Sequence, residues 1–197
     1  MRILVTGASG PAGRAVCARL GERGDQVIAV GTDAARLATV DADERHLADL
    51  TDPDAVHALA DAVRRVDAVL HLVGGWKPGS TPEADAWLRP RLVGTLANVI
   101  AAFEGELAAS EGRLAIVSST AVTPGRVPTS SYARAKADAE VLVAELAARL
   151  GDEGGAATVF VIGSLGEEGT PAAVLAERLT AWLDAEPAAV NGTRVLV

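Results

Sequence analysis

Apolar runs alternate with amphipathic stretches along the whole chain. The runs show little polar alternation, which is typical of strands that are buried on both faces of a parallel sheet. They lie at Arg2–Thr6, Gln26–Val30, His46–Leu50, Asp67–Val73, Arg113–Ser118, Ala156–Ile162 and Thr193–Val197. The amphipathic stretches predict helices at Ala12–Arg23, Asp52–Arg65, Pro90–Ser110, Ser130–Leu150 and Pro171–Asp184. This alternation predicts an α/β fold, with a doubly wound parallel sheet of about seven strands and helices on both faces.

Length and composition narrow the function classes. The 197 residues, 49% apolar and 22% charged, fit one domain over residues 1–197. A net charge of −8 disfavours a nucleic-acid partner. The single cysteine, Cys17, excludes an internal disulfide, and the three scattered histidines offer no metal-ligand spacing. We expect no signal peptide, no membrane span and a cytoplasmic protein, because no apolar run approaches ~18 residues.

The first predicted strand leads into a loop with three evenly spaced glycines, Thr6-Gly7-Ala8-Ser9-Gly10-Pro11-Ala12-Gly13. In a dinucleotide-binding loop, one glycine permits the tight turn, a second lets the backbone approach the pyrophosphate, and a third lets helix and strand pack closely. The amides at the start of the following helix then face the anion. Because the loop stands between a predicted strand and a predicted helix, it indicates a Rossmann domain.

In its motifs the sequence resembles the short-chain dehydrogenase/reductase family. The glycine loop is similar to that of the family's extended and atypical branches, and Tyr132-Ala-Arg-Ala-Lys136 is similar to its Tyr-x-x-x-Lys motif. Asp49-Leu50 resembles the segment that contacts adenine, and the run from Asp67 to Gly74 resembles the strand beneath the cofactor. The resemblance implies NAD(P) binding by Gly7, Ser9, Gly10, Pro11, Ala12, Gly13, Thr32, Asp49, Leu50, Val73, Gly74, Tyr132 and Lys136.

The resemblance also implies a catalytic set of Ser119, Tyr132 and Lys136. Tyr132 and Lys136 are four residues apart and therefore share one helix face. The Lys136 charge is expected to lower the pKa of the Tyr132 phenol, which then exchanges a proton with a carbonyl or alcohol oxygen. Ser119 stands thirteen residues before Tyr132, as in the family, and would hydrogen-bond the same oxygen. Ser118 is the alternative serine.

One position departs from the family pattern. Arg91 stands where most members with this chemistry have an Asn that connects the lysine to solvent through water. Arg91 either replaces that relay or repels Lys136. Asn98, one helix turn after Gly94, is expected to pack or to face a partner subunit rather than to restore the relay.

One loop tryptophan and the three histidines of the chain are further candidates. Trp76, which stands with Lys77 in the loop 74–82, either contacts substrate or packs on the surface. His71 is interpreted as a hydrogen-bonded strand residue, and His46 and His57 as structural residues.

The predicted cofactor is NADP, with NAD as the alternative. The second strand ends in Gly31-Thr32, without the acidic residue that rejects a 2′-phosphate, unless Asp33 reaches back. Arg14 and Arg36 are candidates to pair with the 2′-phosphate, or else are solvated helix charges.

Three functions fit these observations to different degrees. The first is an oxidoreductase that transfers hydride between a nicotinamide cofactor and a small carbonyl or alcohol. The alternative is a non-catalytic NAD(P)-binding sensor or assembly protein. Epimerase or dehydratase chemistry on nucleotide sugars would require a substrate domain, and only Ser164–Thr170 corresponds to a lid here. The helices Pro90–Ser110 and Ser130–Leu150 predict a homodimer or homotetramer.

Overall fold

The computed structural model describes all residues from Met1 to Val197 and contains one seven-stranded sheet. Every strand pairs in parallel with its neighbours, in the order β3-β2-β1-β4-β5-β6-β7. The strands are β1 (Arg2–Thr6), β2 (Gln26–Gly31), β3 (Glu44–Leu47), β4 (Ala68–His71), β5 (Arg113–Ser119), β6 (Ala156–Ile162) and β7 (Arg194–Leu196). The predicted Rossmann-type α/β fold is confirmed.

Helices cover both faces of the sheet. They are α1 (Pro11–Glu22), α2 (Ala34–Leu37), α3 (Pro53–Val63), α4 (Pro82–Arg89), α5 (Thr95–Ala109), α6 (Ser131–Asp152), α7 (Ala172–Leu183) and α8 (Pro187–Val190). One core cluster joins α3, α5 and α6 to the sheet around Phe103. A second cluster joins α1 and α7 to the other face around Phe160. Cys17 is fully buried there, as expected of a structural thiol.

The prediction for the third strand is displaced by two residues at its start and by three at its end. The strand runs over Glu44–Leu47 rather than His46–Leu50. It lies at the edge of the sheet and its residues alternate between half-buried and exposed. An edge strand does not need a continuous apolar run, so the apolar pattern marked the buried residues that follow it, Ala48 and Leu50.

The predicted helix Pro90–Ser110 starts too late. The helix begins at Pro82, where Thr81 caps it by accepting a hydrogen bond from the amide of Ala84 at 3.2 Å. Pro90 does not end it, because a π-helical turn over Pro90–Gly94 joins α4 to α5. Proline lacks the amide that a regular turn requires, and the widened turn accommodates that loss. The Thr-Pro-Glu-Ala sequence at 81–84 is the helix-start signal that the sequence interpretation missed.

The joined helix Pro82–Ala109 has 28 residues and is long and apolar enough, by length and composition, to cross a membrane. No span was expected from the sequence, because polar residues such as Asn98 and Glu104 interrupt the apolar run. The apolar residues of its α5 part are buried against the sheet and belong to the hydrophobic core.

The strand order places a crevice at one edge of the sheet. The chain leaves β1 towards β2 on one side, while β4 lies on the other, so the order reverses between β1 and β4. Ligands of open α/β sheets bind outside the carboxyl ends of the strands at such a point. The loops that follow β1, β2 and β3 meet those that follow β4, β5 and β6 at this edge.

Candidate functional site

The glycine loop is shaped by contacts between backbone atoms. Gly7 has a φ of +67°, and a Cβ there would lie 2.6 Å from the carbonyl oxygen of Leu72. A Cβ on Gly13 would lie 2.4 Å from the carbonyl oxygen of Gly7. A Cβ on Gly10 would meet only the Gly7 oxygen, at 3.3 Å. Gly7 and Gly13 are therefore required by the fold of the loop, whereas Gly10 keeps its open side clear.

The loop presents free amides to a groove. Gly10 caps α1 without a side chain, and the amides of Ala12 and Gly13 have no acceptor within the chain. They face a cavity of about 390 Å³ whose wall includes Gly7, Ser9, Gly10, Pro11, Ala12, Gly13, Val73 and Gly74. Unpaired amides at a helix start are a binding site for phosphate, so this cradle fits a pyrophosphate group.

A second cavity, of about 560 Å³, continues from the glycine loop beneath the ends of β2 and β3. Thr32, Asp49, Leu50, Val73 and Gly74, all predicted to contact the cofactor, line it.

Asp49 and Leu50 are held in place by neighbouring residues. The Asp49 carboxylate accepts hydrogen bonds from the amide and hydroxyl of Thr51 at 2.9 and 2.7 Å, which lower its pKa. Asn98 donates to the carbonyl of Leu50 at 2.9 Å. Asn98 therefore secures this wall of the cavity, which is a packing role and not a proton relay.

The end of β2 shows how the two candidate arginines are used. Asp33 accepts a hydrogen bond from the amide of Arg36 at 3.0 Å and caps α2. Arg14 donates to the carbonyl oxygens of Ser9, Arg36 and Thr39 at 2.9–3.2 Å and thus braces the glycine loop against α2. Arg36 also donates to the Ser9 carbonyl, at 3.1 Å, but its side chain is exposed at the rim of the loop.

The start of α6 fixes the position of Tyr132. The Ser130 hydroxyl caps the helix by accepting from the amide of Ala133 at 3.1 Å. The amide of Ser131 donates to the carbonyl of Gly79 at 3.1 Å, which ties this helix to the loop that follows β4. Tyr132 therefore stands half-buried in the first turn of α6.

Lys136 lies one turn after Tyr132 on the same face of the helix. It is buried, with 7% of its surface exposed, and its Nζ donates to the carbonyl of Val117 at 2.7 Å. The same Nζ lies 5.9 Å from the centre of the Tyr132 ring. The structure thus brings the two predicted residues together at the carboxyl end of β5.

The two candidate serines end β5 and have different partners. The Ser118 hydroxyl donates to Glu140 of α6, although Ser118 also contributes to the wall of the cavity near Tyr132. The Ser119 hydroxyl accepts from the amide of Ala121 at 3.2 Å and acts on the Tyr132 phenol by hydrogen bonding, lowering its pKa. Ser119 is thus the serine that affects the pKa of the phenol, whereas Ser118 is the serine that lines the cavity.

Burial changes the electrostatic expectation for this pair. Burial raises the pKa of the Tyr132 phenol, and Ser119 opposes that effect only in part. Burial also lowers the pKa of the Lys136 ammonium to about 8, against the opposing charge of Glu140. The sequence-based expectation that Lys136 lowers the pKa of Tyr132 is wrong for this conformation, because Nζ is directed to the Val117 carbonyl. The phenol is protonated at neutral pH and can act as an acid.

Tyr132 and Lys136 line a cavity of about 240 Å³ that also includes Val73 and Gly74. Because those two residues also line the cavities beside the glycine loop, the three form one continuous cleft. Trp76 stands at the rim with 67% of its surface exposed. The remaining walls near Tyr132 are mainly apolar and include Ile162, Leu165 and Leu175.

Arg91 is directed away from the Tyr132–Lys136 pair. Its guanidinium lies 4.3 Å from the centre of the Trp87 ring and donates to the Trp87 carbonyl at 3.0 Å. It lines the cavity of Asp49, and its charge contributes to lowering the pKa of that carboxyl. Repulsion of Lys136 by Arg91 is not seen, because burial and Glu140 are the causes of the shift in the pKa of Lys136. The relay by Arg91 stays a prediction. Trp87 escaped the sequence interpretation because α4 was not predicted.

His71 ends β4 and is buried between two hydroxyls. Its Nδ1 lies 2.9 Å from the Thr6 Oγ1 and its Nε2 lies 3.3 Å from the Thr95 Oγ1. Burial, assisted by the nearby Lys136 charge, lowers the pKa of His71 to about 3, so the ring is neutral. His71 is thus a hydrogen-bonded strand residue that links β1 to α5.

The other histidines are peripheral. The His46 ring lies 3.3 Å from a Glu44 carboxylate oxygen, and His57 is exposed on α3.

Comparison with known proteins assigns the chain to a family. Residues 3–193 match the NAD dependent epimerase/dehydratase family. The 2-alkyl-3-oxoalkanoate reductase of Stenotrophomonas maltophilia (strain K279a) is 40% identical over 124 residues, which is 62% of this chain and 34% of that relative. The match therefore spans about a third of the relative's length.

Solved structures share the fold. A metagenomic short-chain oxidoreductase in complex with NADP superimposes with a TM-score of 0.82 at 22% identity, over 100% of this chain and 96% of that one. A short-chain type dehydrogenase/reductase from Mycobacterium ulcerans superimposes with a TM-score of 0.87 at 20% identity, over 100% and 87%. The chain belongs to the NAD dependent epimerase/dehydratase family and has the Rossmann fold of the short-chain dehydrogenases/reductases.

Proposed function

We propose that this protein is an NAD(P)-dependent oxidoreductase that transfers hydride between the nicotinamide and a small carbonyl or alcohol substrate. The observation that carries the proposal is that Tyr132 and Lys136 line the end of the cleft that starts at the glycine loop, with Ser119 acting on the Tyr132 phenol from the end of β5. A cofactor whose pyrophosphate lies on the α1 amides would extend along that cleft towards Tyr132.

The residues of the chain divide the work as follows. The bound nicotinamide supplies or accepts the hydride. Tyr132, protonated at neutral pH, gives its proton to the carbonyl oxygen during reduction and becomes the phenolate. In the reverse direction it is the phenolate that takes the proton of the alcohol. Ser119 donates a hydrogen bond to the same oxygen and holds it at the phenol. Lys136 provides a donor for the ribose hydroxyls.

The cleft near Tyr132 favours a carbonyl compound with an apolar substituent. Its volume of about 240 Å³ suits a small molecule, and Ile162, Leu165 and Leu175 give it apolar walls. The relative from Stenotrophomonas maltophilia reduces 2-alkyl-3-oxoalkanoates, which combine a ketone with alkyl chains. We therefore propose small oxo acids or oxo esters with a short alkyl branch as the first substrates to test.

NADP is the proposed cofactor. Gly31 and Thr32 leave the end of β2 neutral, and Asp33 is engaged as the cap of α2. The exposed Arg36 guanidinium lies at the rim beside Ser9, where a 2′-phosphate could pair with it.

The test follows nicotinamide absorbance with NADPH or NADH and a panel of ketones, quinones and ethyl 2-methyl-3-oxobutanoate. We expect turnover of at least one carbonyl substrate and tighter binding of NADPH than NADH in a calorimetric titration. Tight binding of NADPH without turnover of any substrate would contradict the enzyme and favour a non-catalytic NAD(P)-binding protein. Equal or better binding of NADH would contradict the choice of NADP.

We also propose a homodimer or homotetramer built on α5 and α6. These long helices pack side by side, and the Glu104–Arg149 ion pair joins them. Sedimentation at micromolar concentration is expected to show at least a dimer, and a monomer alone would contradict this proposal.

A further inference from the structure

Glu140 is a carboxylate near the proposed catalytic residues that the sequence interpretation did not include. It lies one helix turn beyond Lys136 on α6, and only 16% of its side chain is exposed. One of its oxygens accepts the Ser118 hydroxyl, and the other pairs with the Arg194 Nε at 3.0 Å. Both oxygens are thus engaged, which fixes the carboxylate behind the end of β5.

Arg194 comes from β7, far from this site in sequence. Besides Glu140, it donates to the carbonyl of Val122 at 2.6 Å and to the carbonyl of Ser119 at 3.4 Å. The segment from Thr120 to Ser130 contains no regular helix or strand. One guanidinium therefore holds both the backbone of Ser119 and the loop that follows it.

We propose that Glu140 and Arg194 act together as positioning residues, which orient Ser119 at the Tyr132 phenol and balance the charge on Lys136. The catalytic part of this inference rests on the proposed function. The electrostatic part concerns Lys136 itself and does not require turnover.

The groups that face Lys136 come from five elements. Tyr132 and Glu140 flank it on α6, and His71 lies nearby on β4 and is neutral. The Val117 carbonyl faces it from β5, while Leu92 of the π-helical turn and Leu96 of α5 add apolar walls. Glu140 is thus the acid whose charge opposes the effect of burial on Lys136.

Changes at the two residues are expected to move Lys136 in opposite directions. Burial lowers its pKa to about 8, and the Glu140 charge counters this. Removal of the Glu140 charge leaves burial unopposed, so the pKa falls further. Removal of the Arg194 charge leaves Glu140 unpaired beside Lys136, so the pKa rises. A merely structural disturbance would not produce opposite shifts.

The chain is well suited to a direct measurement. It contains two lysines, Lys77 and Lys136, so lysine labelled with ¹³C at Cε gives two NMR signals, with Lys77 in a loop as the internal reference. We compare the wild-type protein with Glu140→Gln and Arg194→Met. Glu104→Gln is the matched control, because Glu104 pairs at the surface with a different arginine, Arg149 of α6.

We expect the Lys136 midpoint to fall by about one unit in Glu140→Gln and to rise by about half a unit in Arg194→Met. Lys77 stays unchanged throughout, and Glu104→Gln leaves both lysines unchanged. Equal midpoints in all variants, or shifts of the same sign, would overturn the proposal. If Glu140→Gln does not fold, the upward shift in the more exposed Arg194→Met decides alone.

Kinetics test the orientation of Ser119. With ethyl 2-methyl-3-oxobutanoate as the probe, Arg194→Met is expected to lower kcat about tenfold while the Kd for NADPH stays constant. Arg194→Lys, which keeps the charge, is expected to recover part of the loss. If the wild-type protein turns over no carbonyl compound, the proposed function fails, but opposite NMR shifts would still support the electrostatic role. An unchanged kcat in Arg194→Met would contradict the positioning of Ser119.

Discussion

The two ends of the cleft are built in different ways. At the glycine loop, backbone amides and the missing side chains of Gly7 and Gly13 form the site. At the end of β5, side chains form it, and Lys136 is buried beside Tyr132. The first end carries no titratable group of its own, whereas the second depends on charges whose pKa values burial has shifted.

This difference decides how each end can fail. A backbone site tolerates surrounding changes but not an added Cβ, because the atoms it would meet cannot move aside. A site of buried charges keeps its shape after a conservative change but loses its chemistry, since burial and neighbouring groups set the protonation of each residue. Substitutions at the two ends are therefore expected to have different signatures.

The largest expected effect is at the side-chain end. Tyr132→Phe removes the acid and keeps the ring, so kcat is expected to fall by about 10²–10⁴-fold. The Kd for NADPH is expected to change little, because the phenol serves the reacting oxygen. Steady-state kinetics and a binding titration check both statements. Unchanged turnover would show that Tyr132 is not the proton donor.

A pair of glycine variants tests the glycine-loop end of the cleft. Gly13→Val places side-chain atoms against the backbone of Gly7 and Ala8, at distances from 2.4 Å, and is expected to destabilise the fold by about 3 kcal/mol. Gly10→Val meets only the Gly7 oxygen and is expected to fold while losing about 10²-fold in NADPH affinity. Thermal unfolding and a binding titration distinguish the two. Wild-type affinity in a folded Gly10→Val protein would refute the phosphate site.

His71, which links β1 to α5, is expected to make the stability of the fold sensitive to acid. The folded protein holds its pKa at about 3, whereas the unfolded chain has the ordinary 6.5 and takes up a proton first. Stability therefore falls as the pH drops from about 6.5 towards 3, by a few kcal/mol at most. His71→Asn is expected to flatten this slope in denaturant titrations from pH 7 to 4. The exposed His57→Asn is the control, and a slope unaltered by His71→Asn would contradict the assignment.

The smallest expected effect concerns the choice between cofactors. Arg36→Ala removes the exposed charge at the rim of the glycine loop and is expected to weaken NADPH binding about threefold to tenfold. NADH, which lacks the 2′-phosphate, should bind as before. Calorimetric titrations of both cofactors measure the ratio. An equal loss for NADH would indicate that Arg36 supports the loop through Ser9 rather than recognising the phosphate.

Those parts of the two ends that are local in sequence could be predicted, whereas contacts between distant residues could not. Glycine spacing between a strand and a helix is local, so the cradle could be predicted from seven consecutive residues. Tyr132 and Lys136 are also local, one turn apart on a helix. The pairing of Arg194 with Glu140 and Ser119 was not predicted, because it joins residues 54 and 75 positions apart.

The extent to which a side chain is buried also could not be predicted from the sequence. A positive charge four residues from a phenol suggests a lowered pKa, but the packing of β5 against α6 determines where Nζ points and how strongly burial acts. Arg91 was misplaced for a related reason. Within a π-helical turn a residue points in a different direction than in a regular helix, and no local sequence pattern predicted that turn.

The π-helical turn at Pro90–Gly94 has a geometric consequence of its own. It holds one residue more than a regular turn, so each of its residues adds less rotation than the ~100° of a regular helix. A one-residue deletion at Val93 would convert it into a regular turn and leave the faces of α4 and α5 in nearly the same directions. The turn thus absorbs one additional residue and a proline while the helix on either side of it keeps its packing.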